Sequence, residues 1–560
     1  MNEFGYTMIA LVIILLLFIR GIYLEKEREK RLLQKVRDAW GNIPEEEYTT
    51  EKLVSIAMYY MEHKNLNTDI DDITWNDLNM EDIYMLINNT GSSIGEEYLY
   101  YILHKLEYDE NTLEERNRIL ELLKANTELR EKLQLTFHKF GKSLQISLYE
   151  YINRTDDIEI KYPWLHYVSF FALPISIALI FIIPQVGAIL TVCSIIFNVI
   201  YYQKEKGRID VYLNVFSYIL NMIHNVKNLS KMNLPGLEQY TSELMRHTSK
   251  FNNFARGAGL VLGGRSMTAG LLDIILDYFR ILFHIDLIKF NSMLKQLRAN
   301  RENLNQMYEI VGLLDSMIAV ASFRELIKDY TIPKLSHTVK PYIHTTNIYH
   351  PLIVEPVKNS FHTNRSALLT GSNASGKSTF LKTLAINGIF AQTIYTVLAD
   401  TYDSCYFKIA SSMALHDSIQ NNESYYIVEI KSLKRIMDKM NKKIPVLCFV
   451  DEVLRGTNTL ERIAASSHIL QYFTSFPSIC VAATHDIELT HILEKHYDNY
   501  HFQEDVVEND VLFDYILYKG RAESRNAIKL LGIIGFDHSI IKNADNQVNA
   551  FLETGTWSAL

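Results

Sequence analysis

The sequence predicts a multi-domain fold class: three transmembrane helices, an all-α core and a C-terminal α/β domain built on a parallel sheet. Three observations predict it. The chain has 560 residues, 48% of them hydrophobic and 22% charged, which suits two to four folded domains and excludes a disordered chain. The 42 residues from Tyr162 to Gln203 contain no Asp, Glu, Lys or Arg. Three short apolar runs between residues 366 and 483 each end in residues suited to phosphate or water chemistry. The net charge of −9 argues against a protein that is basic all over, but leaves room for local basic patches.

The uncharged run comes first. As a helix it would extend about 63 Å, roughly twice the hydrocarbon core of a bilayer. Leu165–Ile183 is almost wholly apolar, Pro184-Gln185 interrupts it, and Val186–Tyr202 resumes. This pattern predicts a helical hairpin over 161–203 that crosses a membrane twice. Trp164, Tyr167, Tyr201 and Tyr202 stand at its ends, where amphipathic rings favour the interface. Lys161, Lys204, Lys206 and Arg208 flank it. A third span is expected at the N-terminus, where Phe4 to Ile19 carries no charge and the cations follow from Arg20 to Arg31. That order argues against a signal peptide and places the bulk of the chain in the cytoplasm. The expected localisation is the cell membrane, multi-pass, with lipid as a partner. Residues 258–290 are also apolar, but Asp273, Asp277, Arg280 and His284 recur at helical spacing, which predicts a long amphipathic helix outside the membrane.

The apolar runs carry the chemistry. Ser366–Thr370 leads into Gly371, Ser372, Asn373, Ala374, Ser375, Gly376, Lys377 and Ser378, with Thr379 opening a good helix sequence. This is the GxxxxGK[ST] phosphate loop in its strand–loop–helix context. The glycines let backbone N–H groups curl around phosphate, and the helix N-terminus adds its dipole. Lys377 is expected on the β- and γ-phosphates of the nucleotide, and Ser378 on Mg2+. The run Val446–Val450 ends in Asp451 and Glu452, the first suited to orient Mg2+ and the second to position or deprotonate water. The run Ile479–Ala483 ends in Thr484, His485 and Asp486, with His485 placed for the γ-phosphate or the water. The expected catalytic residues are therefore Glu452, His485 and Lys377. Together the runs predict an ABC-like P-loop NTPase sheet from roughly 340 to 520 and leave open which NTPase. Lys431–Pro445 lacks the LSGGQ-like stretch of transporter ATPases. Four scattered cysteines without CxxC spacing fit a reducing compartment, and no metal site of protein ligands alone is visible.

These residues resemble the MutS family of mismatch-repair ATPases. The phosphate loop with Asn373 is similar to the family's version. So is Asp451–Thr459, although Leu454 replaces the usual glycine and Asn458 the usual serine. Ala483-Thr484-His485 resembles the family's ATH, and Asp417–Glu429 its loop before a helix, with Tyr425-Tyr426 in place of the usual Phe-Met region. Further resemblances are Asn88–Leu99 to the start of the core or lever domain, Leu314–Phe323 with Tyr330–Pro333 to its return, and His350-Pro351 to the pair before the nucleotide sheet. The resemblance implies a homodimer with ATP sandwiched between ATPase domains and lever helices that rotate on binding. It also brings double-stranded DNA into view as a partner. The family's mismatch wedge, Phe-x-Glu, occurs only as Phe323-Arg324-Glu325, inside the expected core helix, where it reads as coincidence.

The expected organisation is an anchor at 1–24, a core or lever domain in two parts at 25–160 and 204–335 around the hairpin, the ATPase domain at 336–520 and a helical dimerisation segment at 521–560. The basic residues Lys204, Lys206, Arg208, Lys227, Lys231, Arg246, Lys250 and Arg256 could serve DNA phosphates or anionic lipid. The function expected is a membrane-anchored ATPase that uses a dimer interface and is linked to mismatch repair. The alternative is an ATP-driven membrane scaffold, transport or defence component without mismatch recognition. An unknown membrane or repair partner fits either.

Overall fold

A computed structural model describes the chain except residues 1–2, 66–67, 143–146, 158–161, 253, 255–277, 373–374, 414–424, 456, 508–509, 523–527, 529–530, 532–534, 558 and 560. It contains two compact units interleaved in sequence. A helical unit gathers Met1–His63, Ile87–Tyr101 and Ile119–Phe323, and a sheet unit gathers Lys64–Leu86, Ile102–Arg118 and Arg324–Leu560.

In the helical unit, Pro163–Ile180 and Pro184–Leu229 form the hairpin. Pro184 starts the second helix at a position where a missing N–H costs nothing. That helix runs for 46 residues, about 69 Å, so it continues well past the apolar segment. Two helical segments among the described residues, Pro163–Ile180 and Pro184–Gly207, are long and apolar enough to cross a membrane. Only about a fifth of each is buried, which separates them from the core helices of a globular domain. Phe181 and Ile182 at the tip are 86% and 75% exposed.

Against the expectation of three spans, the described residues hold two candidates. The N-terminal apolar run belongs to a 37-residue helix, Glu3–Ala39, whose second half is densely charged, and most of the run's side chains lie outside the described residues. Tyr202 is also not an interfacial ring. It is 8% exposed and donates a 2.8 Å hydrogen bond to Asp286. The amphipathic helix expected through 258–290 is interrupted. Asp273 and Asp277 lie outside the described residues, and His284 adopts φ +53° just before the helix Ile285–Ala299. His284 is fully buried and its ring stands 3.2 Å from His166 and 3.0 Å from the Asn198 carbonyl.

Two segments that resembled separate parts of the family core meet in this unit. Asp315 accepts hydrogen bonds from the backbone N–H groups of Gly91 and Ser92, both at 2.9 Å, and from the Ser92 hydroxyl at 2.6 Å. Gly95, in the helix Ser93–His104, faces the same carboxylate. A Cβ there would lie 2.2 Å from Asp315 Oδ2, so glycine is required. Phe323 is 2% exposed in the helix Arg301–Ile327, which leaves no ring free to wedge into a base stack.

The described residues of the sheet unit form ten strands. The first group comprises β1 (Lys334–Ser336), β2 (Ile343–Ile348), β3 (Asn359–Thr363) and β5 (Thr401–Cys405), in the order β1-β5-β2-β3. The second comprises β4 (Ser366–Thr370), β6 (Lys408–Ser412), β7 (Val446–Asp451), β8 (Ser478–Ala483), β9 (Tyr497–Val507) and β10 (Asp510–Lys519), in the order β10-β9-β4-β8-β7-β6. Every pairing in this sheet is parallel except β9 with β10. Strands β4, β6 and β8 are buried at every residue, as expected of a parallel sheet covered on both faces. Beyond the sheet, the C-terminal region holds the helix His538–Thr554.

Candidate nucleotide site

Strand order places the site. β4, β8 and β7 are neighbours, and Ala483 pairs with Leu369 on one side and Asp451 on the other. Three chain segments far apart in sequence therefore leave the sheet side by side at its carboxyl edge, where ligands of open α/β sheets bind.

After β4, Gly376 takes φ +105° as the N-cap of the helix Lys377–Thr393. A side chain there would be strained, and its Cβ would meet Tyr515 at 3.3 Å. Lys377 is 6% exposed and its Nζ donates to the carbonyls of Gly371 at 2.9 Å and Ser372 at 2.6 Å. Burial lowers its pKa, against the pull of Asp451, Glu452 and Glu504. Ser375 is 1% exposed and its Oγ has no hydrogen-bond partner among the described residues. Asn373 and Ala374 lie outside the described residues.

At the end of β7, burial raises Asp451, while the hydrogen bond from the Ser378 hydroxyl works the other way. Glu452 accepts a 3.0 Å hydrogen bond from His485 Nε2 and a 3.1 Å ion pair from Arg455. The His485 hydrogen bond holds its carboxyl below the usual range, assisted by Arg455 and opposed by burial. After β8, Thr484 N–H donates to the Leu369 carbonyl at 3.0 Å, and Arg462 clasps Asp486 with two hydrogen bonds of 2.9 and 2.6 Å.

A cavity of about 660 Å³ opens on these groups. Gly376, Lys377, Ser378, Thr379, Asp451, Glu452 and His485 line it. Gly371 and Ser372 are not among its lining residues. Sequence reasoning missed the other wall, formed by Ile353–Val357, Asn359, Phe502 and Tyr515. A usable signal was the apolar run Leu352-Ile353-Val354 between Pro351 and Pro356, since Val354 is 91% exposed at the cavity. The segment Asp417–Ser424 lies outside the described residues, and the helix Tyr425–Lys439 follows it.

The residues fit a phosphate-bound Mg2+. Ser378 and Asp451 supply hard oxygen donors side by side, and two protein ligands plus phosphate oxygens is the usual arrangement for this ion. Ser375 Oγ, buried and unpartnered among the described residues, offers a hydrogen bond that a phosphate oxygen would accept.

Residues 367–552 match the family model "MutS domain V". Residues 367–552, about a third of the chain, therefore carry a MutS-family domain. It is 29% identical over 289 residues to "MutS protein homolog 4" of Homo sapiens, covering 48% of this chain and 30% of the relative. It is 27% identical over 268 residues to "DNA mismatch repair protein MutS" of Acholeplasma laidlawii, covering 46% and 31%. It is 30% identical over 252 residues to the protein of the same name in Pseudothermotoga lettingae, covering 43% and 30%. The chain thus spans about three-tenths of the length of these MutS relatives.

Proposed function

We propose that this MutS-family chain is a Mg2+-dependent ATPase held at a membrane by its hairpin. The observation that carries the ATPase reading is the convergence of Lys377, Ser378, Asp451, Glu452 and His485 on one cavity. Lys377 and Ser375 bind the phosphates. The exposed aliphatic wall around Val354, with Phe502 and Tyr515, takes the base. Ser378 and Asp451 hold Mg2+, which when bound neutralises phosphate charge. Glu452, kept ionised by His485 and Arg455, accepts a proton from the attacking water and orients it. Two chains form a homodimer around the nucleotide.

The relatives' names support double-stranded DNA as a partner. The exposed cations Lys204, Lys231, Arg246 and Lys250 of the helical unit are available to phosphate. Lys206 is committed elsewhere, since it pairs with Asp286 at 2.8 Å. The side chain of Arg208 and the whole of Arg256 lie outside the described residues. The hairpin supports the membrane reading through its exposed apolar faces, with the bulk of the chain on the cytoplasmic side.

Phosphate release by the purified full chain tests the ATPase. Glu452→Ala is expected to bind ATP, slow hydrolysis and accumulate dimer; an unchanged rate removes Glu452 as the base. Titrating matched and mismatched duplexes at several salt concentrations tests DNA, and binding insensitive to salt and sequence counts against it. The exposed hairpin favours a second reading, a membrane scaffold, transport or defence component that uses ATP as a dimerisation switch. Stimulation of the ATPase by lipid vesicles and not by DNA selects that reading.

A further inference from the structure

Glu452 sits in a backbone that L-residues rarely adopt. Its φ is +57°, and that of Leu454, two residues on, is +58°. Such angles persist only where the surroundings enforce them. Here four groups of the backbone around the turn are held. Glu452 N–H donates to the Ala483 carbonyl at 2.9 Å, which continues the sheet by one residue. The Val453 carbonyl accepts from Ser466 at 3.2 Å. The N–H groups of Leu454 and Arg455 both donate to one oxygen, Glu429 Oε1, the second at 3.3 Å.

Glu429 belongs to a different element, the helix Tyr425–Lys439. It is 3% exposed, and its second oxygen has no hydrogen-bond partner among the described residues. A buried carboxylate is expensive to keep, and burial pushes this one up to about 7. An apolar side chain here would leave the two N–H groups without their acceptor. The Leu454 side chain is also buried, in the core with Leu433, Ile436 and Leu470, so the turn is pinned by its apolar end as well. Without an acceptor for the two N–H groups, the backbone can relax toward negative φ. The carboxylate two residues upstream then turns away from His485.

Resting on the ATPase reading above, we propose that Glu429 is a positioning residue for hydrolysis. It clamps the left-handed turn at Leu454 so that Glu452 faces the cavity beside His485 and Arg455. Glu429 itself touches neither nucleotide nor water.

The test uses the purified full chain, with ATP turnover, affinity for a non-hydrolysable ATP analogue and thermal melting measured together. Glu429→Leu keeps the length and removes the acceptor. It is expected to lower kcat by about 10- to 100-fold, the loss typical of a misplaced catalytic group, with analogue affinity within about twofold. Glu429→Gln keeps an oxygen at the Oε1 position and is expected to retain turnover within about threefold. Adding Leu454→Gly to Glu429→Leu should recover part of kcat, because glycine holds a positive φ without a clamp. If Glu429→Leu does not fold, Glu429→Ala with and without Leu454→Gly makes the same comparison. Wild-type turnover in both acceptor-free variants overturns the proposal. So does Glu429→Gln as impaired as Glu429→Leu, or a kcat loss matched by lost analogue affinity. A wild-type chain no more active than Lys377→Ala overturns the ATPase reading as well, which separates the two failures.

Discussion

Lys52 in the helical unit and Lys377 in the sheet unit are both nearly closed to solvent, at 2% and 6% exposure. Their partners differ. Lys52 pairs with the carboxylates of Glu46 and Glu96, and Lys142 pairs with the same two acids at 2.6 and 3.0 Å. Its charge is neutralised on the spot. Lys377 hydrogen-bonds to two neutral carbonyls, and a cavity opens beside it. Asp451, Glu452 and Glu504 pull on this lysine, but none forms an ion pair with it among the described residues. A buried ion answered by counter-ions is a structural element that does little for net stability. A buried ion held by carbonyls next to an open cavity is poised for an anion.

The largest expected effect tests that contrast directly. Lys377→Ala should lower ATP turnover at least about 100-fold, as loss of a preorganised electrostatic contact does, with little change in melting temperature. Turnover at the wild-type rate would erase the distinction between the two lysines. Gly95→Ala probes the helical unit instead. Its new Cβ would fall 2.2 Å from Asp315 Oδ2, so a loss of about 2–3 kcal/mol in stability is expected by chemical denaturation. A neutral result would mean that the Asp315 cluster yields easily and does not brace the unit.

A pH experiment separates the units more finely. Glu97 is fully buried, and burial pushes it up to about 8 despite the 2.7 Å hydrogen bond from Ser147. Its folded pKa lies above the unfolded value, so the folded chain keeps a proton that the unfolded chain releases. The stabilisation is complete below about 4.5, declines as pH rises and is spent above about 8. Glu97→Gln should flatten that slope and gain on the order of 1–3 kcal/mol relative to wild type above pH 8. Parallel melting curves across pH for the two proteins would contradict this. The smallest effect is expected from Arg462→Lys, which leaves one arm of the clasp on Asp486 beside His485. A loss of about two- to fivefold in kcat, with unchanged melting, fits a planar fork replaced by a point charge.

The sheet unit was the more legible of the two. Its GxxxxGK[ST] pattern lies in eight consecutive residues, and Glu452 and His485 each stand just after an apolar strand. The local pattern therefore carried the chemistry. The helical unit hid its organisation because its key contacts are long-range. Nothing near Gly95 in sequence announces Asp315, 220 positions later. The hairpin was visible as an uncharged run, yet the 46-residue length of its second helix was not, since charged residues after Gln203 continue the helix as readily as they end a span. The N-terminal run looked like a third span because hydropathy alone cannot weigh the charged helix that extends it.

Composition, strand-ending motifs and hydrophobic runs by themselves determined the phosphate-loop pattern that resembles the MutS family's and the apolar hairpin. These are properties of neighbouring residues, and periodicity reports them faithfully. Only the tertiary structure decided that β4, β8 and β7 lie side by side, that an aliphatic wall completes the cavity, and that Glu429 holds the turn bearing Glu452. Strand order and the partner of a buried carboxylate depend on which distant segments pack together, and hydrogen bonds across that packing leave no trace in local sequence.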